Sequence, residues 1–149
     1  MEKKDIIWKL REARKSHKRW VSYALALIQG IPVEKDQVPV IATDCAFGQW
    51  YYGMAQSLRN LPGFQAIEAP HTELHDIYIE IFNLLFNQKK GGFFSKLIGK
   101  SARIDEQNRK LAKEKYKQLD KVSKEIITRL ESLEKEIQAL SEDELQALI

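Results

Sequence analysis

All three histidines and the only cysteine of this 149-residue chain occur in a single ordered pattern: His17, Cys45, His71 and His75. The last two belong to the motif H-T-E-L-H, and on a helix residues four apart lie on the same face, about one turn from each other. Three imidazoles and one thiolate are a sufficient ligand set for tetrahedral Zn²⁺. We therefore predict a zinc site whose ligands are these four residues.

Each residue alone has a more ordinary interpretation. A single histidine on an apolar face is usually satisfied by a hydrogen bond, and a single cysteine behaves as a small hydrophobe. The joint pattern differs because three separate predicted helices offer ligands to one interior. Leaving such groups buried without partners costs roughly 1–3 kcal/mol each, and a bound metal removes that cost. The donor set favours zinc over Mg²⁺ or Ca²⁺, which need oxygen ligands, although copper is chemically compatible.

The motif predicts no catalytic residue. Its acid, Glu73, follows His71 by two positions rather than one, so it points away from the face that carries the imidazoles. With Cys45 as the fourth ligand the site is closed, and closed zinc sites are structural rather than hydrolytic. We expect a binding protein, not an enzyme. Two alternatives stay open: a metal-dependent enzyme resembling the DinB-like family, with three histidines and an open coordination position, and a structural or adaptor protein that uses zinc as a staple.

Apolar residues at steps of three and four predict an all-α fold, a four-helix bundle with a long C-terminal helix. Inside such a bundle the predicted ligands would face inward from neighbouring helices. A capping box at Ser141 and Glu144 predicts a further short terminal helix. The four main helices are expected at Asp5–Gln29, from Cys45 (with Thr43 or Asp44 as N-cap) to about Arg59, from Gln65 or Glu68 to Phe86, and from about Ser101 to Leu140.

The apolar positions of the long helix predict how it packs. Leu119, Val122 and Ile126 follow one phase and the positions from Leu130 onward another, and the eleven-residue step between the two phases is typical of a stutter. We expect this helix to pack inside the bundle over part of its length and to pair with another chain over the rest. The whole chain, 1–149, is predicted to be one domain, with a metal-ligand core at about 5–87 and the long helix at about 101–140.

The composition narrows the class of protein. Hydrophobic residues make up 44% and charged residues 30% of the chain, and the net charge is +3, which demands neither nucleic acid nor membrane as a partner. Eight Lys and Arg lie in residues 1–20 and six acids in residues 131–149, which predicts two oppositely charged helical surfaces. One cysteine excludes an internal disulfide, and the chain has neither a signal-peptide core nor an apolar run of 18 residues. We expect a cytoplasmic protein. The lysine- and phenylalanine-containing loop 89–101 is expected to cap the bundle, to dock a partner or to contact anionic lipid.

The motifs resemble a known family. His17-Lys-Arg-Trp20, then Cys45-Ala-Phe-Gly48-Gln-Trp50, then the two histidines of H-T-E-L-H are similar to the motif set of the chemoreceptor zinc-binding domain. The resemblance implies a small helical bundle, often a dimer, that occurs in bacterial cytoplasmic chemoreceptors and diguanylate cyclases. It implies zinc bound by the four residues named above and a regulatory role in sensing zinc or oxidants. Trp20 and Trp50 are predicted to form an apolar shell around the metal.

The chain departs from that family arrangement because it has neither a chemoreceptor hairpin nor a cyclase domain. Its initial Met and its C-terminus favour a stand-alone protein, and we expect a homodimer that acts with a chemotaxis or cyclic-di-GMP signalling protein. For the signal, two hypotheses remain. An oxidant would convert Cys45 to a sulfenic acid, which is a poorer ligand, or zinc itself would be the signal through its occupancy of the site.

Overall fold

The structure, a computed structural model, describes residues 1–31, 42–86 and 106–149. These residues form helices connected by turns, and no strand occurs among them, so the predicted all-α bundle is confirmed. The predicted loop 89–101 lies outside the described residues. The elements are α1 (Lys3–Ile28), α2 (Ala46–Tyr52), a 3₁₀ helix η1 (Met54–Leu58), α3 (Pro62–Gln65), α4 (Glu68–Phe86), α5 (Glu106–Ala139) and α6 (Glu142–Leu148).

The first helix follows its predicted pattern closely. It begins two residues earlier than expected because Glu2 and Asp5 form a reciprocal capping box that satisfies two backbone N–H groups at the helix start. It ends where Gly30 adopts a φ of 79°, a left-handed conformation that glycine reaches without a steric penalty. The buried positions lie on one face: Ile6, Leu10, Ala13, His17, Trp20, Val21, Ala24, Leu27 and Ile28.

The second predicted helix is not continuous, and that prediction was wrong. The chain forms α2, leaves helical geometry at Gly53 (φ −103°, ψ −110°), and continues as η1 and then α3. A Cβ at Gly53 would lie 2.6 Å from the carbonyl oxygen of Gln49, so this turn requires a residue without a side chain. The interruption shortens the helix that carries Cys45 to two turns.

The third predicted helix corresponds to α4, which covers Glu68–Phe86 as expected. Pro70 lies in its first turn, where a backbone N–H has no helical partner, so the ring costs no hydrogen bond. The regular i to i−4 bonding starts at once, since the His71 N–H donates to the Ile67 carbonyl at 3.0 Å. The helix therefore presents His71 and His75 on one face.

The long helix α5 is the centre of the packing, since both α1 and α4 lie along it. We call this contact the α5 seam. Seven of its nine buried residues fall in two adjacent rows with seven-residue intervals, so the predicted stutter was wrong. One row consists of Ala112, Leu119, Ile126 and Leu133, and the other of Ser123, Leu130 and Ile137.

Charged residues connect α1 to the C-terminal part of α5 along the α5 seam. Glu134, whose side chain is only 8% exposed, forms ion pairs with Arg11 at 2.7 Å and with Arg14 at 2.8 Å. Lys3 donates to the carbonyl oxygens at the C-terminus of α5, at Gln138 (2.9 Å) and Leu140 (2.6 Å). The predicted basic and acidic surfaces thus face each other. The predicted capping box of Ser141 starts α6, and no helix in the described ranges is long and apolar enough to cross a bilayer.

Candidate metal centre

The four predicted ligand residues come from three elements and meet in the core. His17 lies on α1, Cys45 immediately precedes α2, and His71 and His75 lie on α4. Their exposed fractions are 3%, 6%, 0% and 1% in chain order. One ligand atom of each can be chosen so that all four lie within 4.8 Å of one another. We call these residues the ligand cluster.

Cys45 is positioned by the start of α2. It is the N-cap residue itself, not a residue of the first turn behind a Thr43 or Asp44 cap, and its Sγ accepts the Gly48 N–H at 3.1 Å. The same sulfur lies 3.3 Å from the carbonyl oxygen of Ala42. A Cβ at Gly48 would overlap that carbonyl, so the glycine permits a close approach of the backbone before the helix. The approach is to this loop and not to a second helix.

The imidazoles of His17 and His71 are oriented differently. Nδ1 of His17 donates to the Ala13 carbonyl at 2.6 Å, which leaves Nε2 as the ligand atom and fixes the ring in the way that protein partners of metal ligands do. Nε2 of His71 lies 3.4 Å from the sulfur of Cys45, while its Nδ1 is buried and has no hydrogen-bond partner among the described residues. The acid of the motif, Glu73, is exposed and away from the cluster.

The geometry fits a tetrahedral ion. Zinc–nitrogen bonds of about 2.0–2.1 Å and a zinc–sulfur bond of about 2.3 Å place tetrahedral nitrogens about 3.3 Å apart and nitrogen about 3.6 Å from sulfur. The observed sulfur-to-Nε2 distance of 3.4 Å between Cys45 and His71 is close to that value. Since no pair exceeds 4.8 Å, small side-chain movements would bring all four donors to bonding distance. The donor set, three nitrogens and one sulfur, matches the preference of zinc.

Burial sets the protonation states of these groups. It lowers the pKa of His17 and lowers the pKa of His71 to about 3, the latter with a smaller contribution from the neighbouring histidines. Both imidazoles are therefore neutral near pH 7, the form that binds a metal. Burial raises the pKa of the Cys45 thiol, and the Gly48 N–H offsets only part of that rise. Without a cation, Cys45 and His71 form a neutral thiol–imidazole pair.

Aromatic rings surround the ligand cluster. Trp20 contacts His75, with ring centroids 4.4 Å apart, and also lies beside His17 at 6.1 Å. Phe47 packs edge-on against His17 at 5.6 Å and His71 at 5.1 Å. Trp50 contacts Phe47 at 5.8 Å and so forms an outer layer. The sequence predicted that the two tryptophans lie near the metal. It did not predict this for Phe47, although the position of Phe47 two residues after Cys45 could have indicated it.

Comparison with known proteins agrees with this geometry. Residues 17–82 match the family model described as the chemoreceptor zinc-binding domain. A search of curated proteins and a search of solved structures found no match. The matched range begins at the first histidine of the ligand cluster and includes the other three residues. The family predicted from the motifs is therefore confirmed for residues 17–82, the range that the family model matches.

Proposed function

We propose that this protein is a regulatory module that binds one zinc ion through His17, Cys45, His71 and His75. The observation that carries the proposal is the convergence of four buried soft donors within 4.8 Å of one another. The family match supports zinc as the metal. Bound zinc would supply a cation that keeps the thiol of Cys45 deprotonated and links the four ligands. The protein orients His17 through the Ala13 carbonyl and Cys45 through the Gly48 N–H, and aromatic rings around the cluster exclude water.

The regulatory part of the proposal rests on which elements the ligands join. His17 belongs to α1 and the other imidazoles to α4, and both helices are held independently by the α5 seam. Cys45 belongs to the short segment that begins α2. Loss of the sulfur ligand would release this segment while the three imidazoles stay in place, so we propose α2 as the element that changes position with the signal. The signal itself is oxidation of Cys45 or a change in zinc occupancy.

Two other functions are less well supported. A DinB-like enzyme needs an open coordination position, whereas the sulfur of Cys45 lies 3.4 Å from Nε2 of His71, where a fourth ligand belongs. We therefore keep the expectation that the protein is not an enzyme. A purely structural staple is compatible with the burial of the ligand cluster, and it differs from a sensor in that zinc loss would unfold the bundle instead of moving α2.

We further propose a single cytoplasmic domain that forms a homodimer and acts on a chemotaxis or cyclic-di-GMP signalling protein. The packing of both α1 and α4 on α5 supports one domain. Support for a protein contact comes from two exposed apolar side chains on the α1 and α2 side of the molecule, Trp8 (57% exposed) and Met54 (71%). Light scattering on the purified protein, with Trp8→Glu as the variant that should dissociate the dimer, tests the self-association.

Metal analysis tests the zinc site. Purified protein should contain one zinc per chain, His71→Ala should lose most of it, and Cys45→Ala should keep a weakly bound fraction on three imidazoles. The matched control is Glu73→Ala, which alters the exposed acid between the two histidines of the motif and should leave the zinc content unchanged. Wild-type protein that stays metal-free after incubation with zinc would refute the proposal.

A second experiment separates the two signals. Treatment with one equivalent of oxidant, followed by measurement of released zinc and of Trp50 fluorescence in a Trp8→Phe, Trp20→Phe background, reports on the sulfur ligand and on α2 together. Under the redox hypothesis the fluorescence changes before the metal is released. Unchanged zinc and unchanged fluorescence, with Cys45 shown to be oxidised, would leave zinc occupancy as the signal.

A further inference from the structure

A cleft between α1 and the start of α2 leads from the surface to the ligand cluster. Its volume is about 340 Å³, which is sufficient for a small molecule, and its lining includes the buried residues His17 and Cys45. Ser16 and Arg19 line its exposed part. The cleft thus connects solvent to the sulfur of Cys45 from the α1 side.

Other sides of that sulfur are covered by the protein. The Gly48 N–H lies 3.1 Å away, the Ala42 carbonyl 3.3 Å and Nε2 of His71 3.4 Å. Trp20 and Phe47 also line the cleft, and both pack against imidazoles of the ligand cluster. In the part of the chain that the structure describes, this cleft therefore offers a reagent an approach to Cys45.

Among the described residues, the lining of the cleft carries one charged side chain, the cation of Arg19, and no Asp or Glu. Asp44, the residue before Cys45, lies outside this lining, although its negative charge acts on the Cys45 thiol. Arg11 and Arg14, on the same helix, are engaged by Glu134, whereas Arg19 has no carboxylate within ion-pair distance in the described ranges. A guanidinium that is not neutralised by a carboxylate attracts anions, most strongly where apolar walls reduce the screening by water.

We propose that this cleft is the path by which small thiol-directed anions reach Cys45, and that Arg19 selects for their negative charge. The inference deepens the proposed function and rests on it, since it concerns which reagents reach the responsive ligand. It assigns to Arg19 a specificity role that zinc binding does not require. Neutral reagents of the same size would enter the cleft without this attraction.

Two alkylating reagents of nearly equal shape test the proposal on metal-free protein. Iodoacetate is an anion and iodoacetamide is neutral, and each reacts by attack of the thiolate sulfur on the CH₂ carbon, which forms a C–S bond and expels iodide. Cys45 is the only cysteine, so the mass gain reports on it alone. Both reagents react with the same thiolate, so the ratio of their rate constants does not depend on the fraction of Cys45 that is deprotonated.

Arg19→Gln should lower the iodoacetate-to-iodoacetamide ratio by about two- to fivefold at low ionic strength, as expected for unit charges several ångströms apart. Arg19→Glu should lower it further, and high salt should remove most of the difference. The control is Lys18→Gln, which removes the same charge from an exposed neighbour outside the cleft lining. An unchanged ratio in Arg19→Gln, or an equal fall in Lys18→Gln, would overturn the proposal.

Zinc content, measured on the same variants, keeps this test separate from that of the proposed function. Arg19→Gln should bind one zinc per chain as the wild type does. A wild-type protein that discriminates between the two reagents through Arg19 but binds no zinc would refute the zinc module and leave the anion path standing.

Discussion

The α5 seam and the ligand cluster are both buried, but they are built from different materials. The seam consists mainly of aliphatic side chains at heptad spacing and of Glu134, whose charge is paired with two arginines of α1. The cluster places imidazoles and a thiol in the core, with pKa values displaced by burial, and obtains one ligand from a short, interrupted segment. We therefore expect the seam to maintain the fold without metal, and the proposed response to zinc to be confined to the cluster.

The largest expected effect concerns the seam. Ile126→Ala removes a fully buried side chain from the regular row of α5 and should lower the free energy of unfolding by about 2–5 kcal/mol, with zinc or with a chelator present. Chemical denaturation under both conditions measures this, with the exposed Thr128→Ala as control. A loss that appears only in the metal-free protein would contradict the independence of the two regions.

Acid should destabilise the metal-free protein through the cluster. In the unfolded chain the imidazoles bind protons below about pH 6.5, whereas burial lowers the pKa of His17 and lowers that of His71 to about 3. The unfolded state then binds more protons, so stability decreases as the pH falls below about 6.5, by at most about 1.4 kcal/mol per pH unit for each histidine. Denaturation with chelator between pH 7.5 and 5 measures the slope. A flat profile would mean that the imidazoles are accessible to protons in the folded state.

Gly48→Ala should weaken zinc binding at the ligand cluster and leave the packing of the α5 seam unchanged. The added Cβ overlaps the Ala42 carbonyl and displaces the backbone that positions Cys45, so we expect zinc binding to weaken by about tenfold or more, about 1.4 kcal/mol. Competition with a chromophoric chelator measures the affinity. Gly63→Ala is the matched control, because its Cβ would displace only the flexible end of the Glu136 side chain and would lie in van der Waals contact with Leu133. Equal affinities in the two variants would contradict this account of Gly48.

The smallest expected effect is the release of protons when zinc binds, and it reports specifically on Cys45. Near pH 7 the imidazoles of His17 and His71 are already neutral and the Cys45 thiol, whose pKa is raised by burial, still carries its proton. Zinc binding should therefore release about one proton per ion, and Cys45→Ala should release none. Calorimetry in buffers of different ionisation enthalpy measures the number. Release of two or more protons would mean that an imidazole was charged before zinc bound.

Most of the seam could be predicted from the sequence because helical periodicity is a local property. The bounds of α1 and α4 were predicted within two or three residues, and the capping box of Ser141 was recognised from its spacing. The packing phase of α5 was not, because Val122 was taken as the position that follows Leu119, whereas the second buried row runs through Ser123. Both rows are buried because α1 and α4 both pack along α5, and the sequence of α5 alone does not contain that information.

For the ligand cluster, residue type and spacing determined the four candidate ligands and the chemistry open to them, because soft donors are rare in this chain. Only the tertiary structure decided how they are presented: Gly53 ends α2 early, Cys45 becomes its N-cap beside Ala42, and Phe47 meets two imidazoles. The path past Arg19 likewise exists only where α1 meets α2. Chemical identity is a property of each residue, whereas distance, burial and access arise when segments far apart in the chain pack together.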